Sequence, residues 1–167
     1  MGDVTVRPAT AADAAAICAI YNQGIEDRLA TLETELRTPD ERRQWLAGRG
    51  PRHPVLVAEP EGARATAIGW ASLNAFNPRR AYDHVADLSV YVERSWRGRG
   101  IGRRLLDELV VRGRELGYHK LALAAFPAND AGVALYRRCG FREVGVYREQ
   151  GRLDDCWIDV VVMERLL

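Results

Sequence analysis

The sequence predicts a single mixed α/β domain in which strands and amphipathic helices alternate along the chain. The chain has 167 residues, 47% of them hydrophobic and 28% charged, which suits one compact domain with its own core. Segments with a two-residue apolar period are interspersed with segments of helical period. Because no repeat, low-complexity stretch or linker interrupts this order, we expect one domain over residues 1–167.

The N-terminal half supplies strands and two helices with recognisable starts. Thr10, followed by Asp13 three residues later, is an N-cap pattern that predicts a first helix. The segment 22–36 is irregular in pattern and partly polar, and it predicts no regular element. Thr38-Pro39-Asp40-Glu41 is a capping box with proline at the first helical position, so a helix is expected over residues 39–47. Strands are predicted at residues 4–7, 55–59 and 67–74.

The C-terminal half contains the strand and turn that matter most for function. Residues 85–92 alternate in polarity, which predicts a strand with Asp87, Ser89 and Tyr91 on one face. A turn rich in glycine and arginine follows, and then a helix that runs through Leu116. Further strands are predicted at residues 119–126, 144–147 and 157–163, and a helix is predicted from Asn129 or Asp130 to Gly140.

Charge and cysteine usage exclude several classes of protein. Lys and Arg number 24 against 23 Asp and Glu, so net charge indicates neither a nucleic-acid partner nor a membrane partner. No apolar stretch approaches the roughly 18 residues of a membrane span. Cys18, Cys139 and Cys156 lie far apart, and the three histidines show no metal-ligand spacing. We therefore expect reduced thiols, no metal and a cytoplasmic location.

The turn after strand 85–92 has the pattern Arg97-x-x-Gly100-x-Gly102 and opens a helix. A helix start presents free N–H groups and the positive end of the helix dipole, and glycines let a pyrophosphate come close. Nearby charge comes from Arg97, Arg99, Arg103 and Arg104. A P-loop would need Gly-Lys-Ser/Thr, and a dinucleotide fingerprint would need its third glycine one residue later. A solvated basic loop that touches nucleic acid is the remaining alternative.

This turn resembles the coenzyme A-binding turn of the GNAT acetyltransferase superfamily, and a second segment agrees. Asn129, Ala134, Tyr136 and Gly140-Phe141 match the N-x-x-x-x-A-x-Y-x-x-x-G-F signature of that superfamily. The resemblance implies a central mixed, mostly antiparallel sheet, splayed between the fourth and fifth strands and flanked by helices. It also implies acetyl-CoA as acetyl donor. The cofactor-binding residues would be Val90, Tyr91, Val92, Arg97, Gly98, Arg99, Gly100, Ile101, Gly102, Arg103 and Asn129.

Two side chains are candidates for acid–base catalysis. Transfer of the acetyl group expels a thiolate, and Tyr136 is placed by the signature to protonate it. The acceptor amine must lose a proton, and Asp87 lies mid-strand just ahead of the turn, where a carboxylate is costly without a purpose. Tyr136 packed in the core, or Asp87 hydrogen-bonded across the sheet, would be the structural alternatives. A backbone N–H of Tyr91 or Val92 would polarise the thioester carbonyl.

The resemblance is closest to the phosphinothricin acetyltransferase branch. It rests on Gly69-Trp70-Ala71 and on residues 76–82 and 85–92, whereas residues 20–28 look like the related arsinothricin-type enzymes. The match runs from Val6 to Leu167. It implies a homodimer that acetylates the α-amine of a small-molecule amino acid of the phosphinothricin, methionine sulfoximine or arsinothricin type.

Three departures from that branch concern the acceptor pocket. Asp87 stands where the branch usually has Glu, and Asn77 stands where it usually has one of two arginines. Arg79, helped by Arg80, would bind the substrate carboxylate as a fork, unless the pair is simply an exposed loop. Leu32 replaces a usual aromatic residue in the pocket wall. The predicted substrate-binding residues are Arg79, Arg80, Tyr82 and Leu32.

Three other functions remain open from the sequence. The same chemistry on a polyamine, an aminoglycoside or a protein N-terminus would keep the class and change the acceptor. A non-catalytic acyl-CoA-binding module would bind the cofactor without turnover. The presence of both Asp87 and Tyr136 argues against this alternative. A basic nucleic-acid-binding protein is disfavoured by the charge balance.

Overall fold

The computed structural model describes residues 3–62 and 66–167, which form a seven-stranded sheet with helices on both faces. The strands are β1 (Val4–Pro8), β2 (Val55–Pro60), β3 (Gly69–Ala75), β4 (Val85–Val92), β5 (Lys120–Ala125), β6 (Arg142–Leu153) and β7 (Cys156–Leu166). The helices are α1 (Ala14–Glu26), α2 (Pro39–Ala47), α3 (Ile101–Glu115) and α4 (Asp130–Arg138). Short 3-10 turns at Ala11–Asp13, Arg80–Tyr82 and Arg94–Trp96 precede α1, β4 and α3.

The strand order is β1-β2-β3-β4-β5-β7-β6, and every neighbouring pair is antiparallel except β4 and β5. These two parallel strands pair only at their first residues, from Val85 opposite Lys120 to Asp87 opposite Ala122. Beyond Asp87 they diverge, and β4 continues to Val92 paired with β3 alone. The predicted mixed sheet, splayed between the fourth and fifth strands, is therefore confirmed.

Two hydrophobic cores lie on opposite faces of the sheet. One packs α3 and α4 against the sheet, with Leu105, Leu109 and Met163 fully buried. The other packs α1 against β2 and β3, with Ile17 and Trp70 at its centre. Because side chains alternate along a strand, each face of β4 belongs to a different core. Side chains from both helical layers can therefore approach the point where β4 and β5 diverge.

The first helix is longer than its sequence pattern predicts. Residues 22–36 were expected to be irregular, but α1 continues to Glu26. Ile25 is fully buried, and a Cβ at Gly24 would lie only 3.1 Å from the Tyr91 ring. The last turn of α1 is thus stabilised by a close contact with β4, which local propensity does not encode. By contrast, α2 and β4 have the predicted bounds.

The C-terminal hairpin is also longer than expected. Strands were predicted at residues 144–147 and 157–163, whereas β6 and β7 extend to a two-residue turn between Leu153 and Cys156. Asp154 and Asp155 both have positive φ, as the favoured hairpin turns require. The polar composition of β6, which is almost wholly exposed, and its two register shifts hide this strand from a periodicity argument.

All three cysteines are free; Cys18 and Cys139 are buried and Cys156 is exposed. No helix within residues 3–62 and 66–167 is both long and apolar enough to cross a bilayer.

Candidate active site

A cleft of about 470 Å³ lies where β4 separates from β5. Its walls are the end of β4, the turn into α3, the first turns of α4 and the end of α1 with the residues after it. All the predicted cofactor-binding residues except Arg99 line this cleft, and so does Tyr136. Beyond Asp87 the β5-facing edge of β4 has no strand partner among the described residues, so its backbone groups can bind an extended ligand.

The glycine turn forms the end wall of the cleft. Gly98 and Gly100 have φ angles of 73° and 81°, which only glycine adopts without strain. Gly100 is the residue before α3, so the first free N–H groups of that helix follow directly. A Cβ at Gly102 would meet the Leu135 side chain at 3.0 Å, which makes this glycine the point where α3 and α4 approach each other. The turn is shaped to hold an anionic group close to the backbone.

Arg97 holds the turn in place and is not a free positive charge. Its guanidinium contacts Asp27 at 2.6 Å and donates to the Val92 carbonyl at 3.1 Å. Asp27 also binds Arg94 at 2.6 Å, and hydrogen bonds from Arg94 and then Arg97 hold the pKa of Asp27 below its usual value. Asp27 therefore ties the end of α1 to the glycine turn.

The other basic residues of the turn differ in how available they are. Arg104 donates to the Val4 carbonyl at 2.8 Å and points away from the cleft. Arg103 lines the cleft and approaches Asp107 only at 3.5 Å. Arg99 lies 5.0 Å over the Trp96 ring, is exposed and does not line the cleft. Within the turn, Arg103 and Arg99 are thus the residues most available to a phosphate, and Arg138 of α4 also lines the cleft.

Helix α4 supplies the opposite wall. Asn129 caps it, because its side-chain oxygen accepts a hydrogen bond from the Gly132 N–H at 3.0 Å. Tyr136 lies two turns along and contacts the Phe141 ring at 6.1 Å between centroids. Burial, and then the charge of Asp87, raises the pKa of Tyr136 to about 12. The phenol consequently keeps its proton across the neutral range and is available as a proton donor.

Asp87 is the last residue of β4 that pairs with β5, so it lies where the splay begins; unlike Tyr136, it is not among the residues that line the cleft. Burial raises the pKa of this carboxyl to about 6, against hydrogen bonds donated by the Asn74 amide and the Leu88 backbone N–H. A carboxylate with this pKa is ionised at neutral pH and still accepts a proton readily. The negative charge of Asp87 contributes to the raised pKa of Tyr136, so the two groups interact electrostatically across the splay.

An aromatic cluster fixes the end of β4 against α1. Trp70 and Tyr91 are cross-strand partners with stacked rings 4.8 Å apart, and Tyr21 from α1 meets Tyr91 edge-on at 5.2 Å. The guanidinium of Arg42, from α2, lies 4.0 Å over the ring of Tyr21. Burial raises the pKa of Tyr91 far above its ordinary value. This packing places Val90, Tyr91 and Val92 along the cleft wall.

The predicted substrate-binding residues do not line the cleft. Arg79 and Arg80 are exposed on the loop before β4, and Tyr82 at its end packs on Phe76 with ring centroids 5.6 Å apart. Leu32 lies over Gly151 of β6, so closely that a Cβ there would stand 2.5 Å from its side chain. The three loop residues lie at the entrance to β4, and Leu32 lies where the segment after α1 meets the hairpin.

Several cleft residues escape the sequence argument. Gly24, Asp27, Leu29 and Ala30 come from the end of α1 and the segment that follows, about 70 residues before the glycine turn. No local motif marks them, because their role depends on a contact between distant segments. Trp96 and Leu135 also line the cleft, although the signal in the sequence comes from their neighbours Arg97 and Tyr136. Among the described residues no group of three or more metal-ligating side chains occurs.

The fold and the cleft define a class of protein with a glycine turn and a free strand edge along a split sheet, and with a buried carboxylate and a phenol near the split. Residues 19–141 match the Acetyltransferase (GNAT) family. The chain belongs to this family of enzymes, which transfer acetyl groups. The GNAT fold and the acetyltransferase class expected from the resemblance are thereby confirmed.

Two curated relatives cover almost the whole chain. Phosphinothricin N-acetyltransferase of Streptomyces viridochromogenes is 35% identical over 97% of this chain and 87% of its own length. L-methionine sulfoximine/L-methionine sulfone acetyltransferase of Pseudomonas aeruginosa is 31% identical over 96% of this chain and 92% of its own.

Two solved structures have the same fold throughout. A GNAT superfamily phosphinothricin acetyltransferase from Sinorhizobium meliloti, in complex with AcCoA, has a TM-score of 0.92 at 33% identity, over 98% of this chain and 88% of that one. Ribosomal-protein-alanine N-acetyltransferase from Brucella melitensis has a TM-score of 0.91 at 38% identity, over 98% and 99%.

Proposed function

We propose that this enzyme transfers the acetyl group of acetyl-CoA directly to the α-amine of a small amino acid or glutamate analogue of the phosphinothricin, methionine sulfoximine or arsinothricin type. The observation that carries this proposal is that Tyr136 and the glycine turn line one cleft, and that Asp87, whose charge acts on Tyr136, lies at the splay where this cleft begins. A base, an acid and an anion-binding turn along one split sheet are what acetyl transfer in a ternary complex needs.

The cleft fits acetyl-CoA along its length. The turn at Gly98 and Gly100 would take the pyrophosphate, with Arg103 and Arg99 near the remaining phosphate. The free edge of β4 from Val90 to Val92, with Asn129 opposite, would hold the pantetheine arm. The relative solved with AcCoA supports this reading. Acetyl-CoA, when bound, supplies an acetyl thioester at the splay.

Two side chains would handle the protons of the reaction. Asp87, ionised above about pH 6, would take a proton from the acceptor ammonium or attacking amine, directly or through one water. Tyr136, with its pKa near 12, would give its proton to the departing thiolate. When a neutral amine attacks, Asp87 gains the proton that leaves the nitrogen and Tyr136 loses one to the sulfur, so the protein's net charge is unchanged. Afterwards Asp87 must lose its proton and Tyr136 must regain one. An ammonium acceptor carries one further proton, which goes to solvent.

An acidic acceptor is supported by the loop before β4. Neither Arg79 nor Arg80 has a carboxylate partner among the described residues, and both are exposed close to the start of the Asp87 strand. A guanidinium pair suits the α-carboxylate of an amino acid. The names of the two curated relatives point to the same acceptor class.

A protein N-terminus is the second candidate acceptor. It is favoured by the 38% identity to an enzyme named ribosomal-protein-alanine N-acetyltransferase. A peptide acceptor would present an α-amine without an adjacent free carboxylate. The arginine pair would then have no counterpart on the substrate.

The test is thiol release from acetyl-CoA with phosphinothricin, methionine sulfoximine, arsinothricin, common amino acids, an alanine-led peptide, spermidine and an aminoglycoside. We expect turnover with the amino-acid analogues, a loss of about 100-fold or more in Asp87→Asn, and a raised KM in Arg79→Ala. Asp155→Asn at the exposed hairpin tip is the matched control. Turnover with the peptide alone would reject the amino-acid acceptor, and full activity in Asp87→Asn would reject the base.

Assembly as a homodimer in the cytoplasm completes the proposal. Val144, Val146 and Tyr147 of β6 are 54%, 44% and 58% exposed, which is a large apolar area for a surface strand. Free thiols suit a reducing compartment. Light scattering should give twice the chain mass of 18.7 kDa, and Val146→Lys should reduce it to one chain.

A further inference from the structure

A row of polar side chains runs across the face of the sheet beneath α1 and α2 and ends beside Asp87. Asn74 is the direct cross-strand partner of Asp87, and Ser72 is the partner of Ser89. Directly opposed residues point to the same face, so these four polar side chains form one block. That face is also the face of Trp70 and Tyr91.

The orientation of the Asn74 amide is fixed by its neighbours. The Arg49 guanidinium, from the segment after α2, lies 3.0 Å from Asn74 Oδ1, and the Ser72 hydroxyl lies 3.1 Å from the same atom. A guanidinium can only donate, so the atom facing Arg49 has to be the carbonyl oxygen. The amide nitrogen is consequently turned to the opposite side, where Ser89 Oγ lies at 3.4 Å and where Asp87, the direct cross-strand partner of Asn74, presents its side chain on the same face.

Arg49 is itself held in place. Its guanidinium donates to the backbone carbonyls of His53 and Leu73, and it lies 4.6 Å over the Trp45 ring. It forms no ion pair with a carboxylate of the described residues, and burial lowers its pKa. The hydrogen bonds of this guanidinium therefore go to backbone oxygens and to Asn74.

We propose that Asn74, with its amide orientation fixed by Arg49, is a positioning residue that aims the Asp87 carboxylate and stabilises its ionised form for proton removal from the acceptor. This inference rests on Asp87 being the base in the proposed function. Asn74 does not line the cleft; it acts through Asp87.

The surroundings of Asp87 leave this hydrogen bond with few competitors. Tyr136 of α4 is the titratable group whose interaction with Asp87 is felt, and Tyr91 lies further along β4. On the β5 side, the next charges are Lys120 and Glu164, which are paired with each other. Burial pushes the pKa of Asp87 up, so the Asn74 amide is a main force in the opposite direction.

The experiment compares kcat/KM against pH for wild type, Asn74→Ala, Arg49→Met and Asn22→Ala with one acceptor. Removing the Asn74 donor should move the acidic limb to higher pH by about one unit, with activity largely recovered above it. Arg49→Met should move it in the same direction by less, because the amide can still donate. The acceptor's own ionisation is common to all variants and cancels.

Asn22→Ala is the control for damage to the fold. Asn22 bridges the backbone of Arg37 at 2.9 Å in both directions, so its loss should lower Tm and leave the acidic limb where it is. Should Asn74→Ala prove too unstable to assay, Asn74→Ser retains a shorter donor and should give a smaller shift in the same direction.

Two results would reject the inference in distinguishable ways. If the limb of Asn74→Ala superimposes on that of wild type while Asp87→Asn is inactive, Asn74 has no positioning role and the proposed function stands. If Asp87→Asn is as active as wild type, the base assignment fails and the inference fails with it.

Discussion

The two sides of the cleft are built in different ways. The cofactor side is made mostly of backbone, from a glycine turn, a helix start and the free edge of β4, all within residues 88–102. The proposed acceptor side depends instead on side chains, namely Asp87 at the splay and the exposed Arg79 and Arg80 on the loop before β4, none of which lines the cleft itself. Backbone geometry needs few residue types, whereas a side-chain pocket changes with each substitution. A site built in this way can keep the same acetyl donor while substitutions change which acceptor it takes.

The largest effect is expected at the point where the two sides meet. Tyr136→Phe removes the proton donor to the thiolate and should lower kcat about 100-fold, with acetyl-CoA affinity changed only a few-fold. Because the pKa of Tyr136 is near 12, wild type should show no alkaline loss from this group below about pH 11.

Tyr118→Phe is the matched control, because that phenol is also buried and donates to the Arg52 carbonyl at 2.9 Å. It should lose some stability and keep kcat. Steady-state kinetics at saturating acetyl-CoA separates the two variants. An unchanged kcat in Tyr136→Phe would mean that the thiolate leaves without help from this side chain.

A smaller effect should sharpen the comparison on the cofactor side alone. Gly100 has a φ of 81°, so Gly100→Ala imposes a strain of about 1–2 kcal/mol on the turn. We expect the KM for acetyl-CoA to rise about 10-fold and the KM for the acceptor to stay the same. Gly50→Ala, where an added Cβ meets nothing within 4 Å, is the control. Equal KM values for acetyl-CoA in Gly100→Ala and Gly50→Ala would show that the geometry of the turn does not govern cofactor binding.

A prediction of a different kind concerns the stability of the protein at Asp87. Asp87 has a pKa of about 6 in the folded chain against an ordinary 3.8, so the unfolded chain releases this proton first. Its contribution to stability therefore falls as pH rises from about 4 to about 6. Asp87→Asn should be more stable than wild type at pH 8, by on the order of 2 kcal/mol, and equal to it near pH 4.

Urea unfolding at the two pH values measures this difference. A variant no more stable than wild type at pH 8 would show that the carboxylate is well solvated or well paired, and that the acceptor side carries no cost for its base. The combination of lost activity and gained stability would mark Asp87 as a residue kept for catalysis.

Much of the fold was predictable because its signals are local. The capping box at Thr38 and Glu41 and the alternation from Val85 to Val92 gave the right bounds for α2 and β4. The end of α1 was wrong because Gly24 and Ile25 become helical through contact with Tyr91 and the core. The hairpin was underestimated because an Asp154–Asp155 turn and a polar strand give no apolar period.

By itself, the sequence determined the mixed architecture, the anion-binding turn and Asp87 with Tyr136 as candidate acid–base groups, because each is marked by residue types at short spacing. Only the tertiary structure decided that Arg97 is bound by Asp27, that Arg49 orients Asn74 toward Asp87, and that Leu32 lies on Gly151. These contacts join residues 25 to 119 positions apart in the chain, and no periodicity or motif relates positions so distant. The packing of the two helical layers on a split sheet brings them together.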